Sequence, residues 1–284
     1  MQCPACAERI PADTKFCPHC QVDVLDATPK GESNGHLSEG RNVAKTATIG
    51  IGVVLAVCLT GLIACGGVLF AVLLPTVRQA HEAARRAQCY NNLRQIGSAL
   101  RSYHTTYGSF PPAVTYDSDG KPLHSWRVLI LPFLNESALY DQFTLGEPWD
   151  SANNLRLQAL MPHVFGCPSS SNPGTGMTHY LAISGNGTAF PNAKSVSIDE
   201  ITDGLATTLL IGESGSASIP WTQPVDIDAS NGLTFGSTGL GSRHTLGAYA
   251  LMSDVTVKFI SQNLNANTLN ALSTIDGNEP VFDF

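Results

Sequence analysis

Charged residues are scarce in this sequence, and the scarcity has a location. They make up 14% of the 284 residues, whereas soluble domains carry about a quarter. No Asp, Glu, Lys, Arg or His occurs from Thr46 to Val77, a run of 32 residues. About 20 apolar helical residues cross a hydrocarbon core of about 30 Å. The run therefore predicts one transmembrane helix over residues 46–77, with a buried core helix as the alternative.

The position of this run disfavours a cleaved secretory signal. Signal peptides have shorter apolar cores close to the amino terminus, whereas this run begins only at Thr46. We therefore expect the segment to be retained as a single-pass membrane anchor.

The remaining charge is distributed unevenly along the chain. Residues 78–101 contain five basic residues and one acidic residue, and the residues after 101 contain 6 basic and 16 acidic residues. A basic stalk can lie against anionic lipid headgroups, whereas an acidic head has no electrostatic attraction for nucleic acid. The charge pattern predicts membrane lipid as a partner and excludes nucleic acid from the expected partners.

Four cysteines near the amino terminus form a spaced set. The segment CPACAERIPADTKFCPHC places Cys3, Cys6, Cys17 and Cys20 in two C-x2-C pairs, ten residues apart. Four thiolates can form a tetrahedral zinc site, which a fragment of this size needs in order to fold. Two disulfides or redox-active C-x-x-C motifs are the alternatives. We predict a structural zinc ribbon over residues 1–22 that serves as a docking module, followed by a flexible polar linker over residues 23–45.

A second helical pattern follows the uncharged run. Apolar residues recur at steps of three and four and define one stripe of an amphipathic helix, which consists of Cys89, Leu93, Ile96, Leu100, Tyr103 and Tyr107. Gly108 and Pro111 end the pattern. Pro75 is expected to kink the helix rather than end it, because strong helix formers continue on both sides. The sequence thus predicts that the membrane helix continues as a stalk helix over residues 78–108.

Residues 109–284 are predicted to form an α+β head. Alternation and turn residues indicate a short helix near residues 152–160, a closing helix near residues 266–272, and strands near 179–183, 207–212, 248–252 and 256–260. We expect an antiparallel sheet that packs on the stripe of the stalk helix.

The order of several segments from Leu73 to Phe284 resembles a large bacterial family of pilin-like proteins. The segments are EAARRAQCYNNLRQIGSALRSYHTTYGSFPPA, SWRVLILPFLNESALYDQF, FGCPSS, ITDGLATTLLIGES and SRHTLGAYALMSDVTVKFIS. Members are described as type II secretion G-like major pseudopilins with a carboxy-terminal H-x9-DG motif. The resemblance implies a pilin-like fold, an extracytoplasmic head anchored in the cytoplasmic membrane, and partners among envelope or secretion proteins, including self-association. A sensor or adaptor that relays ligand binding from the head to the ribbon is the alternative function.

Two features depart from that family. The prepilin segment Phe-Thr-Leu-Ile-Glu has no counterpart in TATIGIGVVLAVCL, so we expect neither prepilin processing nor filament assembly. At the carboxy-terminal motif, His244 and Asp254 have the family spacing, but Val255 replaces the glycine. A type I′ turn would need a positive φ at Val255, which is costly for a β-branched residue, so we expect the hairpin to use a different turn.

Cys89 and Cys167 are the two cysteines of the predicted head. If the head is extracytoplasmic, they can form a disulfide that closes a long loop and contributes about 4 kcal/mol; two buried free thiols are the alternative. Positive charge near the predicted span is denser on the head side, which argues for the opposite orientation. The cysteines and the family resemblance favour an internal ribbon and an external head.

We expect no enzymatic activity. His244, Asp254 and the serines Ser169, Ser170 and Ser184 lack the G-x-S-x-G arrangement that would position a nucleophile. Calcium is a weaker prediction for two acidic segments, Asp117 to Gly120 and the group Asp199, Glu200 and Asp203, because neither has the full ligand spacing. Solvated loops are the favoured interpretation of both.

Overall fold

The computed structural model describes residues 2–3, 8–21, 40–169, 176–215, 219–244, 246–279 and 281, and within the first helix the side chains of residues 40–55, 65–66, 68–70 and 72 lie outside the description. The chain divides into two compact units, Met1–Val72 and Leu73–Phe284. Each unit is described by itself below. The predicted linker is outside the described residues up to residue 39, and a helix begins at Gly40.

The first unit contains a small cysteine-rich fold. An antiparallel bridge joins Gln2 to Arg9, and the backbone N–H of Cys3 donates to the carbonyl of Glu8. Ile10 is buried beside Cys3 and Cys17 and supplies the apolar core of this fold.

Helix α1 spans Gly40–Tyr107, 68 residues, and contains Pro75. The prediction that Pro75 does not end the helix is confirmed. The predicted membrane segment, residues 46–77, lies within α1. No helix of the described residues combines the length and the apolarity that crossing a bilayer requires.

In the second unit, one face of α1 forms part of the hydrophobic core. Cys89, Leu93, Ile96 and Leu100 are completely buried, as the predicted stripe requires. The stripe ends earlier than predicted, because Tyr103 is half-buried and Tyr107 is exposed. Gly108 follows the last residue of α1 and has a positive φ of 79°. Glycine adopts this conformation without a steric penalty, so it allows the helix to end here.

The central sheet has five strands, which are β4 (Tyr180–Ser184), β5 (Leu209–Glu213), β7 (Ile227–Asp228), β8 (Gly247–Met252) and β9 (Val257–Ser261). Their order across the sheet is β7-β4-β5-β8-β9. The four longer strands pair antiparallel and correspond to the four predicted strands. The sheet is mixed rather than purely antiparallel, because the two-residue β7 pairs parallel with β4; a strand this short leaves no pattern in the sequence.

Both faces of the sheet are covered, which explains why β4 and β5 are buried along their whole lengths. Tyr180 and Ala182 of β4 share a core with the α1 stripe. The alternate residues Leu181 and Ile183 share a second core with Leu269 of the closing helix. The period-2 alternation of a strand thus distributes β4 between two hydrophobic cores.

The remaining elements are short. Two further sheets each have two strands, β1 (Val114–Tyr116) with β2 (Pro122–Ser125) and β3 (Met177–Thr178) with β6 (Ile219–Pro220). The other α-helices are α2 (Trp126–Leu129), α3 (Ser137–Tyr140), α4 (Ala152–Leu155) and α5 (Ala266–Ala271), and 3-10 turns cover Leu131–Leu134, Arg156–Leu160, His163–Phe165 and Ile198–Glu200. The second unit is α+β, with a long helix packed on a sheet, and is compatible with a pilin-like fold.

Candidate functional site

Three of the four predicted zinc ligands lie together in the first unit. The sulfur atoms of Cys3, Cys17 and Cys20 all lie within 4.8 Å of one another, and the Cys3 and Cys20 sulfurs are 3.6 Å apart. A tetrahedral ion with Zn–S bonds of about 2.3 Å holds its sulfurs nearly 4 Å apart. Cys6, the fourth predicted ligand, lies outside the described residues. This geometry fits a zinc ion, which stays a prediction.

A second cluster lies inside the second unit. It consists of Cys89, Cys167, Glu213 and His244, and we call it the head cluster. All four residues are buried, and one ligand-type atom from each lies within 4.8 Å of the others. Burial of two thiols, a carboxyl group and an imidazole at one point is costly unless each polar group has a partner. The head cluster is therefore the most chemically distinctive feature of this unit.

The fold brings the four residues together from distant parts of the chain. Cys89 lies on the buried stripe of α1, and Cys167 follows the 3-10 turn His163–Phe165. Glu213 is the last residue of the central strand β5, and His244 lies three residues before β8. Because β5 and β8 are antiparallel neighbours, the end of β5 lies beside the start of β8, and Glu213 and His244 meet there, close to Cys89 of α1.

The predicted pairing of Cys89 with Cys167 is reflected in their proximity. Their sulfur atoms lie 2.7 Å apart, and both cysteines are free thiols in this structure. The disulfide stays a prediction.

The side chains of His244 and Glu213 are each held in place by a contact through one of their polar atoms. The Nδ1 atom of His244 lies 2.8 Å from the Oε1 atom of Glu82 on α1, and the Oε2 atom of Glu213 accepts a 2.8 Å hydrogen bond from the backbone N–H of Tyr249. Among the described residues, the opposite atoms, His244 Nε2 and Glu213 Oε1, have no hydrogen-bond partner. They lie 3.8 Å from each other, inside the head cluster.

Glu82 is itself held in place by α1. Arg85 donates to Glu82 from the next turn of the helix at 2.8 Å, and Arg86 donates at 3.3 Å. Burial opposes its negative charge, but the neighbouring His244, Arg85 and Arg86 outweigh burial and lower the pKa of Glu82 to about 2. A charged Glu82 fixes the orientation of the His244 ring.

Burial and proximity shift the pKa values of the cluster in different directions. The hydrogen bond between the thiols raises the pKa of Cys89 and lowers the pKa of Cys167 to about 5. Burial raises the pKa of Glu213 to about 7. Burial also opposes a charge on His244, but Cys167 and Glu82 outweigh it and raise the pKa of His244. The shared hydrogen bond thus makes Cys167 the more acidic of the two thiols.

The structure separates the two residues of the carboxy-terminal motif. Asp254 lies in the turn between β8 and β9, where its Oδ1 atom accepts hydrogen bonds from the backbone and hydroxyl of Thr256. The ring of His244 lies beside Glu82 of α1 and packs edge-to-face on Tyr249 of β8. The two motif residues share no hydrogen bond in the described part of the chain.

The motif turn differs from the expectation in one respect. As predicted, it is not a type I′ turn, because Asp254 does not take a positive φ. Val255 nevertheless has a φ of 72°, in the left-handed conformation that follows a type I turn in many hairpins. Its backbone N–H donates to the Met252 carbonyl at 2.9 Å, which closes the turn.

The predicted calcium segments use their carboxylates for local contacts. Asp117 accepts hydrogen bonds from the backbone of Asp119 and Lys121. Glu200 completes a capping box with Ser197 and pairs with Lys194. Asp203 accepts from the backbone of Gly277 and Asn278. These contacts are those of loop and cap carboxylates, and calcium stays a prediction.

The serines considered for catalysis make no hydrogen bond with His244 in the described part of the chain. The Ser184 hydroxyl donates to the Phe190 carbonyl at 2.9 Å, and the Ser169 hydroxyl is buried. Ser170 lies outside the described residues. No described serine hydroxyl shares a hydrogen bond with the His244 ring.

The sequence analysis did not identify Glu213 of the head cluster or Glu82, which contacts His244. Glu82 is the single acidic residue of the basic stalk, and Glu213 is a charged residue in the otherwise apolar segment LLIGES. Both positions break their local pattern, and a carboxylate in an apolar strand is the signal that could have indicated a buried polar site.

Comparisons with known proteins place the chain in a family. A search of curated proteins and a search of solved structures found no match. A family model described as "Protein of unknown function (DUF1559)" matches residues 78–231, which is more than half of the chain. The match includes residues 78–107 of α1, with Cys89, and also Cys167 and Glu213. The chain therefore belongs to the DUF1559 family of proteins of unknown function.

Proposed function

We propose that this protein is a single-pass, membrane-anchored, pilin-like protein with a structural and interaction role. The observation that carries the proposal is the use of α1 as the spine of the second unit. Cys89, Leu93, Ile96 and Leu100 are completely buried in the core that includes Tyr180 and Ala182 of the sheet. A long helix whose second half is covered by a sheet is the architecture of a pilin.

Membrane anchoring is supported by the sequence. The 32 residues from Thr46 to Val77 contain no charged residue, which exceeds the length needed to span a hydrocarbon core. The proposed orientation in the cytoplasmic membrane puts the zinc ribbon inside and the acidic head outside. Reducing conditions inside would keep Cys3, Cys6, Cys17 and Cys20 available for zinc.

The finer part of the proposal concerns the kind of pilin. The spacing of His244 and Asp254 resembles the H-x9-DG motif of type II secretion G-like major pseudopilins. We infer that the head binds envelope or secretion proteins, or other copies of itself, through its surface, and that the ribbon docks a partner inside the cell.

Protease protection tests the orientation. Intact spheroplasts are treated with protease, and epitopes at the ribbon and at the head are followed by immunoblotting. We expect loss of the head epitope and protection of the ribbon epitope until the membrane is permeabilised. Digestion of the ribbon alone would overturn the orientation, and release of the whole chain by alkaline carbonate would overturn the anchoring.

Crosslinking in native membranes tests the interaction role. Photo-reactive residues on exposed positions of the head, followed by mass spectrometry, should capture specific envelope proteins or a second copy. Equal labelling of abundant proteins from all exposed positions would contradict a specific docking role.

One cavity favours the sensor as a second candidate function. A cavity of about 510 Å³ opens on the second unit and is lined by Phe235, Leu240, His244 and several glycine and serine residues. Its volume lies in the range of small-molecule sites. A thermal-shift screen of small metabolites tests this function: a ligand whose effect is lost when Leu240 is replaced by Trp would support it, and an unchanged transition throughout would remove it.

A further inference from the structure

We propose that the head cluster is a closed binding site for one divalent metal ion, with zinc as the favoured ion. Its ligands would be the sulfurs of Cys89 and Cys167, the Nε2 atom of His244 and the Oε1 atom of Glu213. This site is separate from the ribbon and does not follow from the proposed function.

The first argument is the convergence of free ligand atoms. Four potential ligands from four separate segments lie within 4.8 Å of one another. Within the described residues, His244 Nε2 and Glu213 Oε1 have no hydrogen-bond partner, although the side chains of His244 and Glu213 are 0% and 2% exposed. Buried polar atoms are rarely left without a partner. A metal ion would satisfy both at once.

The second argument is the orientation of the histidine and the carboxylate. Metal-binding histidines usually donate their other ring N–H to a carboxylate or a carbonyl, which fixes the ring. His244 has this arrangement, because its Nδ1 atom lies 2.8 Å from Glu82. Glu213 is similarly held through its Oε2 atom by the N–H of Tyr249. In both residues one atom is held by a partner outside the four-residue set, which leaves His244 Nε2 and Glu213 Oε1 without a hydrogen-bond partner among the described residues.

The ligand types indicate the ion. Two thiolates favour zinc and other borderline or soft ions, whereas calcium and magnesium need oxygen ligands. Four ligands from the protein complete a tetrahedral shell and leave no open position, as in structural zinc sites. The cavity beside Cys167 and Glu213 measures only about 10 Å³, so a substrate does not fit on that side of the cluster. The role of the ion would be to join α1, β5 and the segment before β8.

Metal binding and the predicted disulfide exclude each other. A disulfide leaves neither sulfur as a thiolate, and only the thiolate binds a metal. A tetrahedral ion with Zn–S bonds of about 2.3 Å requires the sulfurs to separate by about 1 Å from their distance of 2.7 Å. Small rotations of the two cysteine side chains would produce this change.

The test uses the full-length chain with Cys3, Cys6, Cys17 and Cys20 replaced by serine, so that the ribbon contributes no metal. The protein is extracted from native membranes in detergent without reductant and without chelator. Metal content is measured by inductively coupled plasma mass spectrometry, and the state of Cys89 and Cys167 by alkylation and mass mapping. We expect about one zinc per chain and no bridge between the cysteines.

Variants then locate the ion. In the same background, Cys167→Ser and His244→Gln should abolish binding of added zinc. When cobalt(II) is added instead, these variants should lack the thiolate-to-cobalt charge-transfer absorption that the parent chain shows. Glu82→Gln should weaken the zinc affinity by about 10- to 100-fold, since it acts through His244. His179→Gln is the matched control, because His179 is buried beside Cys167 but is not a proposed ligand.

Three outcomes overturn the proposal. The first is a Cys89–Cys167 disulfide in the isolated chain with no bound metal. The second is a chain with two free thiols that binds neither zinc nor cobalt. The third is full metal binding by the His244→Gln variant. Circular dichroism verifies that each variant is folded, and a variant that fails to fold is replaced by the milder Glu213→Gln.

Discussion

At the scale of single residues, a buried ion pair links several segments of the second unit. Arg127 is 0% exposed and lies 2.7 Å from Asp226. The guanidinium also donates to the Tyr180 carbonyl of β4 and to the Ser125 hydroxyl, and Asp226 accepts from the Ala182 N–H. The pair therefore attaches α2 and the segment before β7 to strand β4 of the five-stranded sheet.

Removal of one partner should leave an uncompensated buried charge. We expect Asp226→Ala to reduce the free energy of unfolding by about 3–5 kcal/mol, measured by denaturant titration. Lys194→Ala breaks an exposed ion pair with Glu200 and should have little effect. Similar stabilities of the two variants would contradict the structural role of the buried pair.

A second prediction at this scale concerns pH. His124 of β2 is 1% exposed, and its ring packs edge-to-face on Phe143 at a centroid distance of 5.8 Å. Burial lowers the pKa of His124, and nearby backbone groups offset this only in part. The unfolded chain therefore binds a proton more readily than the folded chain, and stability should fall as the pH drops through about 6.5.

His124→Phe keeps the aromatic contact and removes the titrating group. The free energy of unfolding of this variant should depend less on pH between about 5 and 8 than that of the parent chain. His163→Phe, at an exposed position, is the control. Parallel pH profiles for the parent and His124→Phe would show that His124 does not contribute.

At the scale of elements, the close approach of α1 to the β8–β9 hairpin depends on a glycine. A Cβ atom at Gly97 would lie 2.7 Å from side-chain atoms of both Leu251 and Val255. The valine in its left-handed conformation thus packs directly against the helix. This contact helps offset the conformational cost of a positive φ at a β-branched residue, which is about 1–2 kcal/mol.

A larger side chain at position 97 should separate the helix from the hairpin. We expect Gly97→Leu to destabilise the chain by about 3 kcal/mol, because overpacking costs more than the roughly 1 kcal/mol gained in helix propensity. Ser98→Leu changes the adjacent, exposed position and should change stability little. Thermal unfolding of the two variants, followed by circular dichroism, measures the difference.

The elements themselves were largely accessible from the sequence. The α1 stripe repeats at helical spacing, and the strands β4, β5, β8 and β9 lie within about two residues of their predicted limits, because each is a bounded apolar run. The parallel pairing of β7 was inaccessible, since two residues carry no periodicity. The sulfurs of Cys89 and Cys167, which the sequence suggested as a pair, lie 2.7 Å apart, whereas Glu213 and His244 join them only through the tertiary pairing of β5 with β8.

At the scale of the whole molecule, the proposal depends on the uncharged run. Leu59 and Leu62 are 61% and 71% exposed, as expected for residues that lipid would cover. A lysine near the centre of a membrane helix costs about 2.5–3.5 kcal/mol, so a double substitution should strongly oppose insertion. The cost applies only if this part of α1 lies in lipid.

We therefore expect the Leu59→Lys, Leu62→Lys chain to be largely released from cell membranes by alkaline carbonate, whereas the parent chain is retained. Gln79→Lys with Ala83→Lys adds the same charge at exposed positions beyond the run and should leave retention unchanged. Release of both variants would indicate a general effect of charge. Retention of both would mean that residues 46–77 do not anchor the chain, and the head would then need another route to any envelope partner.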